Sequence, residues 1–88
     1  MTGIELIAKE RLEQRVKHHR TLKYDAENNK DYELSRGAAA LIEGDITWMP
    51  ESWDEAVSQR MIGKSYQERL VIAGALIAAE IDRLNYKE

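Results

Sequence analysis

Along the first helix that the sequence predicts, Ile7, Arg11, Gln14, Arg15 and His18 recur at helical spacing on one stripe. A guanidinium, an amide and an imidazole all donate hydrogen bonds to phosphate or carboxylate oxygens, so the stripe is expected to form a donor-rich wall. Arg20 and Thr21 extend it into the following turn. Trp48 and Tyr66 offer flat rings on which a nucleobase could stack. The expected ligand site is therefore Arg11, Gln14, His18, Arg20 and Thr21 against phosphate or ribose oxygens, with Trp48 or Tyr66 under the base. A plainer assignment competes with it. Arg11 or Arg15 would pair with a buried carboxylate, Glu80 being the candidate, while the tryptophans would plug the core.

Catalytic patterns are sparse. There is no nucleophile elbow and no phosphate-binding glycine loop, and the absence of cysteine removes thiolate chemistry and thiolate zinc sites. Two adjacent histidines, His18 and His19, point to different helix faces and do not suit one ion. Neither a metal nor a cofactor is expected. Glu10 and Glu13 give the E-x-x-E that all-α nucleoside triphosphate pyrophosphohydrolases use to hold magnesium. Glu51 and Asp54 give a formal second half at a helix start, where acidic residues already suit the helix dipole. A magnesium-dependent hydrolase is thus an alternative to a binding protein. A non-catalytic adaptor docking through Ile46–Trp53 is another.

The net charge of −3 conceals a polarity. Residues 9–23 carry a net +4, leaving −7 for the remainder. A short basic cluster on an acidic chain argues against binding extended nucleic acid and favours a smaller anionic partner. Neither a signal peptide nor a membrane-length apolar run is visible, so a cytoplasmic, non-membrane protein is expected.

The elements that would position these residues are all helical. Thr2 with Glu5, Ser52 with Glu55, and Ser65 with Glu68 each have capping-box spacing. They predict helices from about Gly3 to His19, from Ser52 to Ile62, and from Ser65 to Tyr86. A further helix over Lys30–Glu43 should stop at Gly44 in the left-handed conformation. Arg20–Asn29 reads as a loop whose asparagines cap the Lys30–Glu43 helix, and Pro50 holds Met49 extended. Ile4, Ala8, Leu12 and Val16 are expected to face the core. The final helix contains LVIAGALIAAEI over residues 70–81, apolar nearly all round with only Glu80 charged. Its Leu70, Ala73, Gly74, Ile77, Ile81 and Leu84 should pack within the monomer, and Ile72, Ala75 and Ala79 against a second copy. Glu80 should find Arg11, Arg15 or Arg83. The expectation is a single all-α domain over residues 1–88, three main helices and one short one, assembled as a homo-oligomer through the last helix.

Two blocks together resemble a family of small uncharacterised phage and prophage proteins. One is the I-A-x-E-R-x-x-Q start, here Ile7, Ala8, Glu10, Arg11 and Gln14, followed by Thr21 and Asp25. The other is the A-L-I-x-A-E-I-x-R-L ending, Ala75 to Leu84. The resemblance implies a phage setting and a host-cell cytoplasmic location, and supplies no residue roles. In that setting the expected function is sequestration of an anionic, nucleotide-derived ligand. A host immune signal such as a cyclic oligonucleotide or an ADP-ribose derivative would be kept from its effector in an anti-defence role.

Overall fold

The computed structural model of the protein describes residues 1–16 and 22–86. Among them are five α-helices and no strand: α1 Gly3–Val16, α2 Leu22–Asn28, α3 Glu33–Glu43, α4 Glu55–Ile62 and α5 Tyr66–Leu84, with a 3-10 turn at Ile46–Trp48. No described helix is long and apolar enough to cross a membrane.

Two of the three expected capping boxes form. Thr2 Oγ1 accepts from the Glu5 amide at 3.2 Å, and the Glu5 carboxylate accepts from the Thr2 amide at 2.8 Å. Ser65 and Glu68 make the same exchange at the start of α5. The Thr2 amide and hydroxyl hold the Glu5 carboxyl below its ordinary pKa, and the Ser65 hydroxyl and amide do so for Glu68. The third box is replaced. The Pro50 carbonyl accepts from the Trp53 amide, closing a turn that includes Ser52, and Asp54 caps α4 by accepting from the Val57 amide at 3.0 Å.

The expected Arg20–Asn29 loop contains α2, whose fully buried side chain is Asp25. Neither asparagine caps α3. Asn28 donates back to the Tyr24 carbonyl, and Asn29 is taken up by Asp25 and Trp53. The chain enters α3 through Tyr32 in the left-handed region, φ 69°, a conformation that costs a side-chain-bearing residue about 1–2 kcal/mol. The C-terminus of α3 follows expectation, with Gly44 at φ 68°. Arg69 Nη1 donates to the Leu41 carbonyl at 2.8 Å and fills the space where a Cβ on Gly44 would stand.

The long final helix is the post around which the others stand. The most extensive packing is α3 on α5, with α1 and α2 also against α5. Leu34, Ala38, Ala40 and Leu41 meet Ile72, Ala73, Leu76 and Ala79 in the core, with Met49 below them. Ala73 and Gly74 pack inside the monomer as expected, but the rest of the expected division of α5 is reversed. Ile72, Ala75 and Ala79 are buried inside the monomer, whereas Leu70, Ile77, Ile81 and Leu84 are exposed. The reason is α3, whose small residues let it pack closely enough to bury the small-residue side of α5.

The same reversal occurs on α1. Ile4, Ala8, Leu12 and Val16 do not face the core; Ile4 is 83% and Leu12 61% exposed. Ile7, Arg11 and Gln14 turn inward instead. Glu80 meets Arg83, one of its three expected partners, at 2.5 Å. That hydrogen bond holds the Arg83 guanidinium above its ordinary pKa.

Two glycines mark close approaches. A Cβ on Gly37 would lie 2.5 Å from the Trp53 ring, and one on Gly74 would lie 2.6 Å from the Ile7 Cδ1. The indole is wide, rigid and held at Nε1 by Asn29, whereas on Ile7 the Cγ1, at 2.9 Å, has to give along with the tip. Gly37→Ala should therefore destabilise the fold by about 1–3 kcal/mol through overpacking. Gly74→Ala should cost less than Gly37→Ala, because alanine's helix propensity returns about 1 kcal/mol against the displacement of Ile7. Urea denaturation of both variants checks the contrast.

Candidate binding hollow

The inward stripe of α1 divides between two environments. Arg11 goes to an ionic network. Its Nη2 lies 4.0 Å from Asp25 Oδ2 on α2 and 3.5 Å from Asp82 Oδ2 on α5. Asp25 is 0% exposed, and its Oδ1 accepts from Asn29 Nδ2 at 2.8 Å. Asn29 Oδ1 in turn accepts from Trp53 Nε1 at 3.0 Å. A continuous polar chain thus joins α5, α1, α2 and the indole that lies on Gly37. Arg11 does pair with a buried carboxylate, but it is Asp25 and not Glu80.

Gln14 goes elsewhere. It lines a hollow of about 350 Å³ between α1, α4 and the start of α5. Glu10 and Glu13 lie beside it on α1, Arg60 and Lys64 come from α4 and its exit, and Val57, Met61 and Ile72 supply the apolar lining. A shallower depression of about 180 Å³ shares Glu10, Lys64 and Ile72 and continues over Leu6, Gln67 and Val71, so the two form one groove. Gln14 is only 4% exposed, and its Oε1 accepts no hydrogen bond from the described residues. Leaving such an acceptor unmet costs about 1–3 kcal/mol, and buried polar atoms in folded proteins are otherwise almost always paired.

The hollow is mixed in charge. Carboxylates stand beside an unmet acceptor on α1, and cations come from the α4 side. Such a lining suits a molecule that donates hydrogen bonds at one end and carries an anion at the other.

Of the residues expected at a ligand site, Gln14 alone is found in this hollow. Arg11 is engaged by Asp25 and Asp82. Trp48 is exposed on the 3-10 turn, and Tyr66 is exposed at the start of α5, with the Arg69 guanidinium 5.6 Å from its ring centre. His18, Arg20 and Thr21 lie outside the described residues. Sequence reasoning misses Arg60 and Lys64. Their four-residue spacing is visible, but only the packing of α4 brings them opposite Gln14.

The four carboxylates considered for magnesium are not brought together. Glu10 and Glu13 line the hollow, while Asp54 caps α4 beside a separate depression of about 200 Å³ at Trp53, and Glu51 is exposed. Among the described residues no group of three or more metal-binding side chains assembles. No known protein family, curated protein or solved structure matches this chain.

A buried amide with an unmet acceptor works against stability. Gln14→Leu should raise the unfolding free energy by about 1 kcal/mol, because it removes the unmet acceptor at similar volume. Urea denaturation measures it, and a loss of more than about 1 kcal/mol would mean that Gln14 is a satisfied structural group.

Proposed function

We propose that the protein is a non-catalytic binding protein that sequesters a small nucleotide-type ligand in the hollow between α1 and α4. The observation that carries this reading is the buried Gln14 Oε1, an acceptor with no described donor in a lining rich in charged groups. Gln14, with Glu13 beside it, would accept N–H groups from a base. Arg60 and Lys64 would hold phosphate oxygens, and Met61, Val57 and Ile72 would cover an apolar ring face. At about 350 Å³ the hollow falls within the size range of small-molecule sites.

The reading differs from a purely cationic wall. Arg11 already faces two carboxylates, and the acidic residues beside Gln14 would repel a ligand that is anionic throughout. Function would follow from mass action: sites in excess of the ligand, with a dissociation constant below its working concentration, leave little of it free. A host signalling nucleotide in a phage setting is the case we favour. Self-association through α5 remains part of the reading, with Ile72, Ala75 and Ala79 removed from the interface because the monomer buries them.

Titration calorimetry tests the site against purine mononucleotides, cyclic oligonucleotides and ADP-ribose derivatives. At least one should bind, and Gln14→Leu and Arg60→Ala should each weaken it by roughly tenfold or more, equivalent to about 1.4 kcal/mol. No heat from any of them with folded protein would overturn the reading. Release of phosphate or pyrophosphate in the presence of magnesium would replace it with the hydrolase alternative.

A further inference from the structure

We infer that a second copy of this chain packs antiparallel on the exposed face of α5, with the two-fold axis passing at Ile77. This deepens the self-association in the proposed reading and is independent of the ligand. The exposed apolar residues of α5 are Leu70, Ile77, Ile81 and Leu84. Leu70, Ile77 and Leu84 are seven residues apart and Ile81 falls between the last two, which is the spacing of a helix–helix seam rather than of scattered surface side chains. Leu70, Ile77 and Leu84 are also symmetric about the centre of the stripe, while Ile81 falls opposite Ala73, which the monomer buries. Turning α5 over at Ile77 sets Leu70 against Leu84 and Ile77 against itself, as an isologous contact requires.

Helix α1 adds to the same side. Relative to the Ile7–Gly74 contact, at about 100° per residue, Ile4 and Ala8 fall on the flank shared with Ile77 and Ile81. The binding groove, with Leu6, Glu10, Gln67 and Val71, opens on the other flank. A partner on α5 therefore leaves the groove open.

The surface area agrees. The chain exposes 5884 Å², whereas a compact monomer of its mass, 10.1 kDa, exposes about 5,300 Å². That excess of about 600 Å² belongs to the whole surface, α5 and α1 included, and a second copy covering roughly 800 Å² of each partner would remove it.

The chain contains no cysteine, which makes a crosslink at a single introduced site unambiguous. Helices in contact at 8–10 Å between axes place facing Cα atoms about 4–5 Å apart, within disulfide reach. Mild oxidation of Ile77→Cys should give a covalent dimer, while Ser35→Cys, exposed on α3, should not. Sedimentation of the wild type at micromolar concentration should give twice 10.1 kDa. Ile77→Glu should give the monomer with its helical circular dichroism intact. A wild-type monomer would overturn the inference. So would a dimer that survives Ile77→Glu and fails to crosslink through Ile77→Cys. Neither result bears on ligand heats, which calorimetry reads separately.

Discussion

A carboxylate with no exposure to solvent needs a cation, and in this chain that requirement decides which way α1 faces. Asp25 is fully buried on α2, and among the described residues Arg11 is the guanidinium that reaches it. Burying an unpaired charge costs several kcal/mol even after the surroundings relax. Leaving Ile4, Leu12 and Val16 in water forgoes about 1.5–3 kcal/mol each, part of it returned by Ile7, so the two are of similar size and the polar chain beyond Asp25 adds to the first. Turning Arg11 inward also turns Ile7 and Gln14 inward, because they share its stripe. Ile4, Leu12 and Val16 are rotated outward by the same choice. The remaining oxygen of Asp25 holds Asn29, and Asn29 holds Trp53 on Gly37, so the pair reaches across to the floor of the α3 packing.

Around this network α5 serves three surroundings. One side is closed by α3 through small residues. A second carries the Ile7–Gly74 approach and the groove beside it. The third is the apolar stripe left uncovered. Burial of the first accounts for most of the apolar character of the helix, which is why a run without an obvious polar face does not by itself show where a partner would sit. The polar residue within the run, Glu80, is met by Arg83 one turn along and leaves Arg11 for Asp25.

The features legible in the sequence are those that depend on near neighbours. Thr2 with Glu5 and Ser65 with Glu68 place two helix starts, and Gly44 places a stop. The features that escape depend on distant partners. Helix α2 is seven residues long and points a buried aspartate inward, so no apolar repeat announces it. Ser52 and Glu55 have the right spacing, yet the Pro50–Trp53 turn hands the cap to Asp54. On α1, hydropathy favours the aliphatic line because it counts methyl groups and not the charge waiting on another helix. The hollow is half visible for the same reason. Gln14 stands out in the polar stripe, while Arg60 and Lys64 look like ordinary surface cations until α4 is folded against α1.

The most direct test of the central role of this ion pair is a double-mutant cycle on Arg11→Met and Asp25→Asn, read by urea denaturation. Asparagine keeps an acceptor for Asn29 while removing the charge, and methionine keeps the length of the arginine stem. Arg11→Met should lose about 3–5 kcal/mol by removing a cation from beside the buried Asp25, and Asp25→Asn should lose less, because Asp82 still faces Arg11. The double variant should recover about 1–3 kcal/mol of the summed loss. Additivity within about 0.5 kcal/mol would contradict the claim that this ion pair sets the orientation of α1.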